Sequence, residues 1–314
     1  MKKTLRFLMV AVIAISVTFT SCKKADKETD NTSEYSTHSD DQSRFSNEID
    51  ATANDENAAI ESYTAFTGRP TNVLTPPCDV SFHLDSTATH RRITITYNGQ
   101  VCLGAHRTRL GQVVLTMPLG QHWRDVGAVL TTNINNLKIT RLSDNKSITI
   151  NGTHIVTNVT GGRLFDLTLP GATPIVHEIT SPGMSVTFDN GSQREWKVAK
   201  RRTFSGNPNQ SLLVISTVGF HTDNGITGIS EWGTNRFGNP FVTSITAPMV
   251  IRQDCGFRLV SGQVTHQRMV ATVVVTFGCD STGTQITTCP AGPFYFKLVW
   301  TGANGIIRTV ILPY

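Results

Sequence analysis

The chain has 314 residues, of which 39% are hydrophobic and 16% are charged, with 28 Lys and Arg against 23 Asp and Glu. This small basic excess does not favour nucleic acid as a partner. After the first 22 residues no segment is apolar over the roughly 20 residues that a membrane-spanning helix needs, which excludes a helical membrane protein.

Residues 1–21 have the pattern of a secretory signal peptide. Three cations within the first six residues precede an apolar run at 7–19, and two small residues then lead to Cys22. A cysteine at this point resembles the lipobox of bacterial lipoproteins, with Phe19 in place of the usual leucine. The resemblance implies cleavage before Cys22, acylation of that residue and anchoring in a membrane. The alternative is ordinary secretion, with Cys22 inside the hydrophobic region of the leader or in a disulfide.

Residues 22–70 are interpreted as the lipid anchor and an acidic stalk. Five basic and eleven acidic residues follow Cys22 up to residue 70, a net charge of −6, whereas the rest of the chain contains twenty basic and twelve acidic residues, a net charge of +8. Because large apolar residues are scarce over 23–40, we expect disorder there. Over 41–66 apolar residues recur at loosely helical spacing, which predicts a short helix, with disorder as the alternative.

The remaining chain is predicted to be all-β. Short runs rich in Val, Ile, Thr and aromatic residues alternate between apolar and polar positions, as half-buried strands do. Turn-forming pairs such as Asn98–Gly99 and Asn224–Gly225 separate them. The pattern predicts antiparallel sandwich or meander sheets built from hairpins, in a first β unit at 71–175 and a second at 176–314. The predicted strands are 92–97, 112–117, 137–142, 147–151, 184–189, 211–218, 270–277, 293–300 and 306–312.

Five cysteines follow the one that ends the leader, and an oxidising compartment permits disulfides between them. Cys78 and Cys102 have the same spacing as Cys255 and Cys279, and in both intervals a turn lies between two predicted strands. This weak repeat favours the pairs Cys78–Cys102 and Cys255–Cys279, with Cys289 as a free thiol. A bond between Cys279 and Cys289 is the alternative. No close group of Cys and His points to a metal site.

The body also resembles a group of Bacteroidota envelope lipoproteins that has no assigned activity. The resemblance covers roughly residues 71–314 and implies an all-β fold and an envelope location, without supplying catalytic residues. It rests on ITITYNGQVC (93–102), Arg107, Arg109, Leu110 and Gly111 before QVVLTM, Gly127 in VGAVLTT, SITINGTHIVTNVTGG (147–162), WGTNRFGNPFVTSITAPMV (232–250), CGFRLVSGQV (255–264) and TFGCD (276–280).

No sequence motif identifies a reaction. The nucleophile elbow, the zinc-protease helix, the phosphate-binding loop and the dinucleotide fingerprint are all absent from the sequence. The acidic residues of the body are scattered, so a catalytic pair of carboxylates would have to be assembled by the fold. We therefore predict no catalytic residue and expect no cofactor.

One group of residues is a candidate ligand surface. Arg194, Trp196, Lys200 and Arg202 alternate along one predicted strand and would share a face. A basic face with an aromatic ring suits an acidic polysaccharide, a lipopolysaccharide phosphate or nucleic acid. The alternative is an edge strand that cations protect from unwanted pairing. Trp232 adds an aromatic ring that would stack on sugars if exposed and cover the core if buried.

The sequence thus predicts an envelope-anchored lipoprotein with a structural or binding role, as an adhesin for example. Its expected partners are the membrane, glycans and other envelope proteins. The alternative is a polysaccharide-acting hydrolase of the cell envelope. The outer membrane is the expected location. Asp26, Glu28 and Asp30 resemble a signal for surface display, but Lys23 and Lys24 dilute it, so the membrane face is left open.

Overall fold

The computed structural model describes residues 32–68, 76–103, 105–207, 212–267, 272–301 and 305–314. Two α-helices, α1 (Thr32–Glu61) and α2 (Thr64–Thr67), precede fifteen strands. Short 3₁₀ turns lie at Leu164–Thr168 and Gln253–Cys255. The strands are β1 (Val80–Ser86), β2 (His90–Asn98), β3 (Arg107–Pro118), β4 (Ala128–Arg141), β5 (Ser147–Asn158), β6 (Ile175–Phe188), β7 (Gln193–Asn207), β8 (Leu212–Gly219), β9 (His221–Asp223), β10 (Ile226–Thr234), β11 (Pro240–Arg252), β12 (Arg258–Gln267), β13 (Val273–Cys279), β14 (Tyr295–Thr301) and β15 (Ile307–Pro313).

All fifteen strands belong to one antiparallel sheet with a meander order. The order follows the chain from β1 to β7 and again from β10 to β15, and β9 pairs with β10. Both β8 and β10 pair with β7 and with β11. These two short strands therefore lie end to end between β7 and β11. Strands on both sides of residue 175 share this sheet through the pairing of β5, β6 and β7. The prediction of an all-β body behind a partly helical N-terminal segment is confirmed.

Helix α1 lies inside the curve of the sheet. The ring of Tyr35 packs edge-on against Trp300 of β14, with 5.5 Å between the ring centres. Near the other end of the helix, Asp55 accepts a hydrogen bond from the hydroxyl of Tyr97 in β2, at 3.0 Å. Because one helix touches strands from β2 to β14, the sheet must bend around it.

The helix is longer than the sequence predicts. It begins at Thr32, nine residues before the expected start, so residues 32–40 are helical instead of a disordered stalk. The sheet supplies what the isolated segment lacks, since it buries Phe45, Ile49 and Ile60 completely or nearly so. Most of helical stability in proteins comes from packing of this kind. Residues 23–31 lie outside the described residues.

Candidate functional site

The carboxylates of α1 are matched by partners from the sheet and its loops. The helix carries eight acidic residues and one arginine, a net charge of −7. Six of the carboxylates lie 2.5 to 3.8 Å from a basic side chain of the body. These pairs are Asp40–Arg141, Asp41–Arg236, Glu48–Arg107, Asp50–Lys200, Asp55–Arg109 and Glu56–His154. Glu34 accepts hydrogen bonds from two asparagine side chains, and Glu61 accepts one from the backbone N–H of Leu164.

The predicted basic face of β7 does not form a ligand surface. Trp196, Lys200 and Arg202 do share one face, but it points at α1 and each of them is at most 1% exposed. Lys200 donates a hydrogen bond to Ser46 of the helix, at 2.6 Å. Arg194 is half-buried and donates to backbone carbonyls of the loop after β10. The sequence predicts that these cations face solvent, because it does not reveal the acidic helix that they contact.

The aromatic ring of Trp232 is only half-buried. It stacks on His221 of β9, with ring centres 4.3 Å apart and planes 10° from parallel. One face of the indole is therefore covered by this histidine. Trp232 pairs with Lys197 of β7, so it lies on the opposite face of the sheet from Trp196, whose side chain points towards α1.

A pair of buried histidines lies between α1 and the strands. The rings of His38 and His266 are 4.9 Å apart, and the hydroxyl of Thr243 is 2.9 Å from a ring nitrogen of His266. Burial lowers the pKa of His266 to about 3. Burial, together with His266, also holds the pKa of His38 well below its ordinary value. Both rings are therefore neutral at physiological pH and form part of the interior.

The disulfides differ in part from the expected set. Cys78 is bonded to Cys102, in the pairing that the sequence favours. Cys255 is bonded to Cys289 and not to Cys279, which corrects the second predicted pair. Cys279 is the free thiol among the described residues, buried at the end of β13. The spacing suggested a hairpin, whereas the loop after β13 returns Cys289 to the 3₁₀ turn that holds Cys255.

One stripe of α1 is not fully covered by the sheet. Its residues follow one another at intervals of three or four, which places them on a single helix face. They are each half-buried, between neighbours that are mostly buried. The members of this uncovered stripe are Asp40, Arg44, Asn47, Ala51, Asn54 and Ala58.

The uncovered stripe lines a cavity of about 1580 Å³. An apolar wall from the C-terminal strands and their loops lines the same space. This apolar wall includes Leu213, Ile215, Ile251, Leu259, Phe294 and Phe296. Small-molecule sites usually occupy roughly 300–1,000 Å³, so this space is large enough for a ligand the size of a lipid.

Most charged groups along the cavity are already paired. Arg107 holds Glu48, and Arg109 holds Asp55, in the ion pairs between the helix and the sheet. Arg44 differs, because one of its terminal nitrogens is buried without a hydrogen-bond partner among the described residues. The other donates to the carbonyl of Lys146, at 2.9 Å. The cavity therefore combines an apolar wall with a helix face on which one cation has spare hydrogen-bonding capacity.

Glu61 is an unusual carboxyl at the end of the cavity. Burial raises its pKa from 4.5 to about 7, against the opposing effects of Arg163 and the Leu164 N–H. At neutral pH the group is thus close to half-protonated. A carboxyl in this condition donates or accepts a proton readily.

Sequence reasoning missed both the cavity and the stripe. The half-buried positions of the stripe recur at helical spacing, but polar and small residues occupy them, and such residues give no apolar signal. The leader and Cys22 lie outside the described residues. Within those residues, no helix is both long enough and apolar enough to cross a membrane. No protein-family model, curated protein or solved structure matches the chain.

Proposed function

We propose that the protein is a lipid-anchored envelope protein that binds an amphipathic small molecule in the cavity beside α1. The observation that carries the proposal is the composition of the cavity walls. One side is the polar stripe of the helix, and the other is the apolar wall. Binding sites of this kind combine a mainly apolar lining with a few polar groups that orient the ligand.

The cavity leaves apolar side chains uncovered. Protein interiors are normally packed to the density of organic crystals, so apolar side chains usually lie against other protein atoms. Phe165 and Phe257 line this space and are 52% and 45% exposed, and Leu213 is only partly buried. A ligand that covers the apolar wall would recover contacts that the fold itself leaves unmade.

An extract of the purified protein tests this proposal. The full chain is produced with Cys22→Ala, so that its own acylation cannot contribute lipid, and extracted with organic solvent for mass spectrometry. We expect an amphiphile that is depleted in the variant Ala51→Trp, because that indole projects into the cavity. Ala172→Trp, at an exposed turn, is the matched control and should retain it. Equal amounts in all three proteins would contradict the proposal.

The anchoring part of the proposal is supported by the order of residues 1–22. Protease treatment of intact cells, compared between the natural chain and Cys22→Ala, tests it. Mass spectrometry of the N-terminus accompanies it, and we expect an acylated Cys22 in the natural chain and an unacylated N-terminus in the variant. Digestion on whole cells would place the body on the surface, and protection until the outer membrane is opened would place it in the periplasm. An unacylated N-terminus in the natural chain would refute lipid anchoring.

A polysaccharide hydrolase is the second candidate, favoured by Glu61 alone. Its raised pKa, about 7, suits a general acid. Binding is preferred because Asp40, Glu48 and Asp55, which line the same cavity, are engaged in ion pairs. Release of reducing sugar from envelope polysaccharide, lost in Glu61→Gln, would instead establish the hydrolase.

A further inference from the structure

We infer that the ligand of the cavity is a long-chain amphiphile with an anionic head, a carboxylate or a phosphate, and that Arg44 binds this head. The inference rests on the proposed function and deepens it by assigning the charge and the position of the ligand. Its basis is one arginine that forms no ion pair with a described residue and lies on the uncovered stripe beside an apolar wall.

Arg44 has one hydrogen bond to the body and no direct ion pair with a described residue. One terminal nitrogen donates to the carbonyl of Lys146, while the other is buried without a partner among the described residues. Of the ion pairs between described residues, none includes Arg44, although Asp40 lies one helical turn before it. Asp40 is taken instead by Arg141, through two hydrogen bonds of 2.6 and 3.1 Å. An oxyanion would satisfy the free donor with a charge-assisted hydrogen bond.

The carboxylates around Arg44 are each bound to another cation. Asp40 and Asp144 form ion pairs with Arg141, and Asp41 forms one with Arg236. These three carboxylates therefore act on Arg44 without a direct ion pair to it. A cationic head group would find no free carboxylate in this group.

The length of the uncovered stripe suits an acyl chain. From Arg44 to Ala58 the stripe runs for fourteen residues, about 21 Å at 1.5 Å per residue. An acyl chain spans about 15 Å, half the hydrocarbon thickness of a bilayer. With the head at Arg44, the chain can extend along the stripe and cover the apolar wall that lines the same cavity. The half-buried Ala51 and Ala58 leave room for it along the helix.

Competition between matched C16 amphiphiles tests the inference. The full chain carrying Cys22→Ala is loaded with Nile red, an uncharged dye, and titrated below micellar concentrations with four competitors. These are hexadecanoate, hexadecyl phosphate, hexadecanol and hexadecyltrimethylammonium. We expect an anionic competitor to displace the dye at about ten-fold or more lower concentration than hexadecanol, the effect of one charged hydrogen bond. The better of the two anions identifies the head as carboxylate or phosphate.

Variants of Arg44 test whether this residue causes the preference for anionic competitors. Arg44→Gln should abolish the preference for anions, and a far-UV circular dichroism spectrum like that of the natural chain shows that the variant is folded. Arg44→Lys should retain most of the preference, and Arg201→Gln, on the outer face of β7, should retain all of it. Equal displacement by all head groups, a preference for the cation, or an unchanged preference in Arg44→Gln would overturn the inference. Failure of Nile red itself to bind would overturn the proposed function instead.

Discussion

Lys200 and Arg201 are neighbours in β7 and lie in opposite environments. The ammonium of Lys200 is 2.8 Å from Glu231, and neither side chain is more than 1% exposed. Burial alone would lower the pKa of Lys200, but Asp50 and Glu231 outweigh it, so its pKa is raised. Arg201 pairs with Glu178 on the outer face of the sheet, where its side chain is 47% exposed.

Two Glu→Gln variants compare these ion pairs. Glu231→Gln should lower the free energy of unfolding by about 3 kcal/mol, because it leaves a buried ammonium without its closest counter-ion. Glu178→Gln should change it by less than about 1 kcal/mol, because water screens that pair. Urea unfolding at neutral pH measures both. Similar costs for the two variants would show that the basic face of β7 is not buried against α1.

Glu61 makes the free energy of unfolding depend on pH near neutrality, which is above the pH range in which a glutamate ordinarily titrates. Its pKa is about 7 in the folded protein and 4.5 when unperturbed, so the unfolded chain releases the proton first. Its contribution is therefore fully present below about pH 4.5 and is lost as the pH rises through 7.

Replacing Glu61 should remove the loss of stability that occurs as the pH rises through 7. Glu61→Gln keeps an acceptor for the Leu164 N–H and cannot ionise, so we expect it to be more stable than the natural protein at pH 8, by up to about 3 kcal/mol. At pH 4 the two proteins should be nearly equal. Urea unfolding at both values measures the difference, and a difference that is the same at pH 4 and pH 8 would contradict the assignment.

At the scale of elements, strands were predictable and their surroundings were not. Alternation over 92–97 identifies β2, whose Ile93 and Ile95 point inwards and are completely buried. Asn224 and Gly225 both adopt positive φ angles in the turn between β9 and β10, as their sequence predicts. Local patterns of this kind depend on a few neighbouring residues, so they can be recognised in one sequence.

Helix α1 was less predictable because its environment is entirely non-local. Its acidic composition is typical of a solvated segment, and only partners far along the chain make burial favourable. Arg236 lies 195 residues beyond the Asp41 that it binds. The same reason explains the error in the basic face of β7, since Lys200 and Arg202 look exposed until the helix is in place.

The cysteine pairing is a second element-scale prediction. Digestion without reduction should yield peptides that link Cys78 to Cys102 and Cys255 to Cys289. Cys279 should react with an alkylating agent only after unfolding, because it is buried and burial raises its thiol pKa. Mass spectrometry identifies both outcomes. A peptide that links Cys255 to Cys279 would restore the pairing inferred from the spacing.

At the scale of the whole molecule, the acidic helix and the basic body have complementary charges. The helix carries a net charge of −7, and the body into which it fits has a basic excess. The sequence reveals the two totals but not the contacts, which require the sheet to curve around α1. The cavity arises at the same scale, because none of the described strands covers this stripe of the helix.

We propose that this cavity accepts an amphiphile, and a dye titration tests this most directly. Nile red is titrated against the full chain with Cys22→Ala, alone and combined with Ala51→Trp or Ala172→Trp. We predict saturable binding with one site, weakened about ten-fold or more by Ala51→Trp, whose indole fills part of the cavity, and unchanged by Ala172→Trp. Absence of saturable binding, or equal affinity in Ala51→Trp, would contradict the claim.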